Sequence, residues 1–359
     1  MKIVFFIDCL GSGGAQRQLV NIAVALKKKG YDVHVVIYYN RMFYAQTLLD
    51  NDITINTLFD LSYKNRITGF NKLMKNIKPS VVIAFLEGPA VIASICKLIS
   101  SHRFKLIVGE RSSNPNILTS VRLRGYRLFH LIADYVVANS YANLRLVNQA
   151  IPILNKKKQK VIYNMIDHEY WKPFETNKSL ENNKFRIVVA ASHQHLKNCH
   201  NMILAISKLP IEMLERLEVV WFGDEREDNS YKEACDLVVQ LNLVNCIFFK
   251  AATKDIKNEM LHADCIGLFS FYEGLPNVVC EAMSLGKPVI CSDISDISLL
   301  LKTSECVFDP KDVSSICASF EFILSLSEDQ LKMIGNINLD SSRNFFEMNE
   351  IVSAYEELF

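Results

Sequence analysis

None of the ten cysteines, which run from Cys9 to Cys317, pairs with another at C-x-x-C spacing. A disulfide framework and a cysteine metal site are therefore unsupported, and free thiols point to a reducing compartment. No apolar run reaches the ~18–20 residues that a membrane-crossing helix needs. The opening MKIVFFIDCLGSGG is interrupted by Asp8 and leads into a glycine turn. It is expected as a first buried strand, not a signal peptide. Net charge is nearly absent, 40 Lys+Arg against 39 Asp+Glu, which argues against a general nucleic-acid binder. The chain is not poor in apolar groups: half of its 359 residues are hydrophobic and 22% are charged, so it is expected to fold, as about two domains of ~100–200 residues each.

The near-zero total hides an asymmetry. Residues 1–170 hold 23 Lys+Arg and 10 Asp+Glu, while residues 171–359 hold 17 and 29. Either the first half faces something anionic, or surface composition has drifted. Along the chain, short apolar runs such as Lys2–Asp8, Asp32–Tyr38, Ser80–Phe85 and Lys105–Gly109 alternate with amphipathic helical stretches such as Ala15–Lys29 and Pro89–Ser100. The pattern restarts at Phe185–Ala191 and continues through Leu217–Phe222, Cys265–Phe269 and Pro288–Cys291. Continuous apolar strands separated by helices predict parallel sheets covered on both faces. The fold class expected is α/β, with two doubly wound parallel-sheet domains. The polar stretch from Asn164 to Lys184, which contains Pro173, reads as the linker. A first domain over 1–165, a linker over 166–184, a second domain over 185–341 and a last helix over 342–359 follow. Two such domains would leave a cleft with one ligand on each side, which favours a two-substrate enzyme.

Four features could carry chemistry. The run Phe269-Ser-Phe-Tyr-Glu-Gly-Leu-Pro-Asn follows a predicted strand. Gly274 permits a turn, Leu275 and Pro276 lead into a helix from about Asn277, and Glu281 lies little more than one turn inside it. Glu273 and Glu281 then bracket a helix amino terminus whose amides can bind phosphate. Carboxylates there make sense as acceptors from hydroxyls on either side of the phosphate, the layout of a nucleotide sugar. They could also be ordinary surface acids on a capped helix. In the second feature, Ser192, His193, His195 and Lys197 follow the first strand of the second half. A lysine at a helix start opposes the macrodipole and is easier to explain as an anion ligand. Each histidine could donate or simply cap. Third, the turn containing Gly13 and Gly14 lacks the G-x-G-x-x-G pattern of dinucleotide sites. It is a tight strand-to-helix turn or a loop touching the acceptor or the donor phosphates. Fourth, Glu110 and Arg111 end a strand and either hold an acceptor or pair with each other.

These motifs resemble the retaining glycosyltransferases of family 4. The likeness rests on Gly13-Gly14 with Ala15-Gln16, Asn139-Ser140, Val161-Ile-Tyr-Asn-Met-Ile-Asp167, Lys197-Asn198, Gly223-Asp224 and, most specifically, Glu273 and Glu281 enclosing Gly274, Leu275, Pro276 and Asn277. The resemblance implies the GT-B fold of two facing Rossmann-like domains, a nucleotide-sugar donor, by default UDP-linked, in the second domain, and an acceptor in the first. It implies that Glu281 binds ribose hydroxyls and that Glu273 contacts the hexose. The amides of 274–277, with Lys197, would hold the diphosphate. Ser192 stands where the family often has an arginine. The last helix would cross back onto the first domain. In this fold the helix amides take the place of a metal, so the resemblance also implies metal independence and the absence of any cofactor. The implied reaction moves a hexose or N-acetylhexosamine with retained configuration onto a lipid-linked saccharide, as in bacterial O-antigen, lipopolysaccharide or capsule synthesis.

Cations cluster at Lys64, Arg66, Lys72, Lys75 and Lys78, and again at Arg122, Arg124 and Arg127, the last three among apolar and aromatic groups. Such a stretch is either a solvated helix or one that lies on an anionic lipid surface. Peripheral attachment to the cytoplasmic face of the plasma membrane is expected. Two other readings compete: a nucleotide-sugar epimerase or hydrolase on the same architecture, and a non-catalytic sugar-nucleotide binder.

Overall fold

The computed structural model describes residues 1–59, 62–174 and 184–359, which divide into two compact units. Unit 1 comprises Met1–Met165 and Met348–Phe359; unit 2 comprises Ile166–Glu347.

Unit 1 is built on seven strands: β1 (Lys2–Phe6), β2 (Asp32–Ile37), β3 (Thr54–Thr57), β4 (Val81–Phe85), β5 (Lys105–Glu110), β6 (Tyr135–Ala138) and β7 (Gln159–Val161). All pair parallel, in the order β3-β2-β1-β4-β5-β6-β7. Successive β1 residues serve opposite faces: Ile3 and Phe5 join one apolar cluster, Val4 and Phe6 another. Both faces are therefore buried, which is why the central strands read as unbroken apolar runs. The order reverses between β1 and β4, which opens a crevice at the carboxyl ends of these two strands.

Unit 2 repeats the plan with β8 (Phe185–Ala190), β9 (Leu217–Phe222), β10 (Ile247–Lys250), β11 (Cys265–Leu268), β12 (Val289–Ser292) and β13 (Val307–Phe308). Their order is β10-β9-β8-β11-β12-β13, again all parallel, with the reversal between β8 and β11. The core of unit 2 is centred on Trp221, Phe269, Phe308 and Phe320, all buried.

Two sequence expectations need correction. A single helix over 342–359 does not form. The helix Glu328–Phe346 ends in unit 2, where Phe346 is fully buried and its carbonyl accepts from the Ile166 amide at 3.2 Å. Glu347 leaves helical geometry (φ −59°, ψ 128°), and a separate helix, Met348–Glu356, belongs to unit 1. Its Ile351, Val352 and Tyr355 join the β1 cluster, and Glu356 pairs with Lys29 at 2.6 Å. The expected linker is also shorter. Residues 175–183 lie outside the described residues, but Trp171 is buried within unit 2, its carbonyl accepting from the Ser284 hydroxyl at 2.7 Å. Among the described residues no helix is long and apolar enough to cross a membrane.

Strands β8 and β9 approach closely where they end. A Cβ on Gly223 would sit 1.9 Å from the Ala191 carbonyl oxygen, which is backbone and cannot swing away. Gly223→Ala is expected to cost at least ~1–3 kcal/mol of unit 2 stability by overpacking, measured as a lower urea midpoint. An unchanged midpoint would refute this close approach.

Candidate functional site

In unit 2 the reversal point brings two loops together. The loop after β8 ends in a 3-10 turn, His195–Lys197, and the loop after β11 leads into the helix Asn277–Ser284. The Phe271 amide donates to the Leu196 carbonyl at 2.9 Å, which staples the loops backbone to backbone. Across the staple Lys197 Nζ donates to Glu273 Oε1, and Ser270 Oγ donates to the same oxygen at 3.0 Å. The two charged side chains are each about one-fifth exposed, at 19% and 20%. Ser295 holds the Gly274 carbonyl from beyond β12. Leu275 and Pro276 are buried, and Pro276, at the N-cap of the helix that begins at Asn277, has no side chain that could cap it. That terminus carries backbone donors and a positive dipole end. Glu281, on the helix's second turn, is only 4% exposed. Lys197, Glu273 and the helix start are thus brought together at one point.

The neighbouring residues divide. Ser192 is half-buried, and its hydroxyl accepts from the Gln194 amide group at 3.1 Å. His193 is not a surface donor. Its ring is 2% exposed, stacked on Trp221 at 5.6 Å and edged by Tyr231 and Phe249, and neither ring nitrogen has a hydrogen-bond partner. Burial holds its pKa below the ordinary histidine value, against an opposing pull from Asp224. A buried ring that stays neutral serves packing. The loop it anchors is tied further by the His193 amide, which donates to the Asp224 carbonyl at 2.9 Å.

In unit 1 Gly13 precedes the helix Gly14–Lys28 with ordinary extended backbone (φ −77°, ψ 159°). The turn is fixed by side chains: Gln16 donates to Asp8 Oδ1 at 3.1 Å, and Asp8 Oδ1 accepts from the Cys9 amide at 2.7 Å. Glu110 and Arg111 do not pair with each other. Glu110 is 5% exposed, and its carboxylate receives Arg127 at 3.2 Å and His130 at 2.7 Å. Arg127 also reaches Glu87 at 3.0 Å. Burial alone would raise the Glu110 carboxyl; the His130 hydrogen bond and the Arg127 charge outweigh it and hold the carboxyl below the usual range. Glu110 is consequently a structural anion, not an exposed acceptor ligand. Arg111 turns the other way, to the Tyr355 hydroxyl and to Asn164 Oδ1 at 3.4 Å, with its guanidinium 3.9 Å over the Phe85 ring. The expected basic clusters shrink accordingly. Arg127 faces inward and Arg66 is buried, whereas Arg122 and Arg124 remain on the surface beside the exposed Val121 and Leu128.

Residues 12–170 match the family model Glycosyltransferase Family 4, and residues 172–339 match Glycosyl transferases group 1. The chain is a glycosyltransferase, with a family 4 domain followed by a group 1 domain. It is 24% identical over 347 residues to an uncharacterized glycosyltransferase of Haemophilus influenzae, covering 92% of this chain and 93% of that one. A second uncharacterized glycosyltransferase, from Methanocaldococcus jannaschii, is 24% identical over 239 residues, and there the match spans 62% of this chain but only 57% of the relative. The Campylobacter jejuni GalNAc-alpha-(1->4)-GalNAc-alpha-(1->3)-diNAcBac-PP-undecaprenol alpha-1,4-N-acetyl-D-galactosaminyltransferase is 26% identical over 300 residues, 79% of this chain and 77% of that one. The crystal structure of Anabaena HepE in complex with UDP-glucose superposes with a TM-score of 0.86 at 21% identity, covering 99% of this chain and 98% of that one. That likeness establishes the GT-B architecture of this glycosyltransferase.

Sequence reasoning missed Ser270 and Ser295, the two hydroxyls that fix the Glu273 loop. Ser270 was visible in principle, since Ser-x-x-Glu spacing lets a hydroxyl and a carboxylate meet across one turn. Ser295 comes from a distant loop and carries no local signal.

The Glu110 cluster generates a prediction for this glycosyltransferase. Arg127→Met leaves a buried carboxylate short of its cation and is expected to cost ~3–5 kcal/mol in urea unfolding. The depressed Glu110 pKa stabilises the fold fully above the unfolded-state value of ~4.3, and that contribution fades as pH falls through the folded value. Glu110→Gln should therefore flatten the acid limb of the stability profile. An unaltered limb would rule out Glu110 as its source.

Proposed function

We propose that this glycosyltransferase takes a hexose or N-acetylhexosamine from a UDP-linked donor bound by unit 2 and transfers it, with retained anomeric configuration, to a lipid-linked saccharide. The observation that carries the reading is the Lys197–Glu273–Ser270 constellation stapled beside the start of the helix Asn277–Ser284, with Glu281 buried one turn further on. A diphosphate suits Lys197 and the helix amides, because both supply positive potential that strengthens as charge develops on the leaving group. Glu273 and Glu281 suit hydroxyls, which donate to carboxylates. Glu273 is assigned to the hexose and Glu281 to the ribose. The backbone N–H groups around Gly274 to Asn277, Pro276 having none, are assigned to the diphosphate, in place of a metal or other cofactor. The HepE complexes with UDP and UDP-glucose and the undecaprenol-linked acceptor in the name of the Campylobacter relative support donor and acceptor class. Synthesis of a bacterial surface polysaccharide such as O-antigen follows from that acceptor class. Unit 1 takes the acceptor, through the rim of its sheet near Gly13 and Gly14.

Thermal-shift screening with UDP-, GDP- and ADP-sugars tests the donor. A UDP-sugar should raise the melting temperature in the presence of EDTA, by ~2.7 kcal/mol of linkage at one hundred times Kd. Lys197→Ala should lower turnover ~100–1,000-fold by removing a preformed donor to the departing diphosphate. No shift with any nucleotide sugar would end the reading, and rapid donor turnover without an acceptor would replace it by an epimerase or hydrolase.

The exposed Arg122, Arg124, Val121 and Leu128 support attachment to the cytoplasmic membrane face, each cation contributing ~1 kcal/mol at an anionic surface. Vesicles rich in phosphatidylglycerol should capture the protein at low salt and lose it when both arginines become glutamate. Equal recovery of the wild type from neutral and anionic vesicles would dismiss the attachment.

A further inference from the structure

The carboxyl-end rim of the unit 1 sheet holds an unusual arrangement of rings. Arg66 is 3% exposed, and its guanidinium lies 4.1 Å over the Tyr38 ring, 4.9 Å over Tyr39 and 5.7 Å over Tyr63. Tyr38 is buried, edge-on to Tyr39 at 4.7 Å and to Phe6 at 6.0 Å. Tyr39 and Tyr63, by contrast, are 43% and 48% exposed. One buried cation thus fixes three phenol rings and leaves two of them facing solvent. Such cation–π contacts strengthen when desolvated, so the exposed rings are pre-set and not freely rotating.

The rings lie at the topological reversal. The Tyr38 hydroxyl is so close to Gly88, just past the end of β4, that a Cβ there would meet it at 2.4 Å, and the Tyr63 hydroxyl is 3.7 Å from the same point. Leu86, two residues earlier, holds φ +73°, ψ 162°, a conformation that costs a non-glycine residue energy and that clusters at ligand sites. On the other side, the Leu10 amide binds the Arg41 carbonyl at 2.8 Å, tying the segment after Tyr39 to the glycine turn after β1. The rim therefore combines two rigid aromatic faces, two phenol hydroxyls and a strained strand end.

We propose that Tyr39 and Tyr63 form a stacking platform for a neutral pyranose ring of the acceptor. A pyranose has a face of C–H bonds that packs on an aromatic ring and an edge of hydroxyls that pairs with phenols. A lipid chain would leave the phenol hydroxyls without partners, and a diphosphate would gain little from ring faces. Fixed rings also lower the entropy lost on binding. The inference deepens the acceptor assignment above and rests on it.

The probes are methyl α-pyranosides of the gluco, galacto and manno series, with and without N-acetylation, observed by saturation-transfer NMR at millimolar concentration, while UDP thermal shift is recorded on the same samples. The wild type should bind at least one glycoside saturably. Tyr63→Ala and Tyr39→Ala should each weaken that binding about tenfold, and Tyr63→Phe, which keeps the ring, should stay within about twofold. UDP shifts should be the same in all four proteins. Both substituted rings are surface rings, so unchanged melting temperatures will show that the variants fold. The platform is overturned if the wild type binds none of the glycosides, if both alanine variants bind as the wild type does, or if Tyr63→Phe loses as much as Tyr63→Ala. Glycoside binding that depends on Tyr63, with no thermal response to UDP, would instead overturn the UDP-donor reading and leave the platform standing.

Discussion

The Lys197–Glu273 pair is the interaction around which the unit 2 site is arranged. Both groups are four-fifths removed from solvent, and a partly buried charge is costly unless paired. Without a ligand each supplies the other's counter-charge, and the staple between Phe271 and Leu196 keeps them in register. The arrangement also sets what a ligand must bring. On the proposed reading, an anion that draws Lys197 away leaves Glu273 with the Ser270 hydroxyl and room for a further donor, which a hydroxyl group beside the negative charge would supply. A diphosphate joined to a sugar meets both demands in one molecule, whereas a free phosphate meets only the first.

Much of this architecture was legible because burial on both faces gives parallel strands a plain signature. β1, β4, β8 and β9 are apolar at nearly every position, and the expected strands match them within a residue or two. The edge strands of unit 1 carry no such signature. β3 reads Thr-Ile-Asn-Thr and β7 reads Gln-Lys-Val, because a strand with a neighbour on one side only tolerates polar residues that a central strand excludes. The helix Tyr63–Ile77 was missed for a related reason: its buried face includes Arg66, which a hydropathy pattern counts as solvent-facing.

The site was legible where chemistry is local and illegible where it depends on distant partners. Glu273, Glu281 and the helix start lie within a dozen residues, and their spacing alone suggested a common purpose. Glu110 and Arg111 are also adjacent, yet each has a different partner: Arg127 and His130 for one, Tyr355 and Asn164 for the other. Successive residues at a strand end point to opposite sides, so adjacency there separates side chains instead of joining them. His193 shows the same limit. Its sequence neighbourhood suggested a donor, but Trp221 and Phe249, from β9 and β10, enclose it.

The two units also show why topology by itself does not choose a ligand. Each sheet reverses beside its first strand and opens there, so each offers backbone and side chains at an equivalent place. In unit 2 that place holds a lysine, an acid and a helix start, the setting on which the proposed anionic, hydroxylated donor rests. In unit 1 it holds phenol rings fixed by a buried arginine, while the nearby carboxylate Glu110 is fully committed to Arg127 and His130. With Glu110 already paired, exposed ring faces at that rim suit a neutral ring with a C–H face better than a diphosphate.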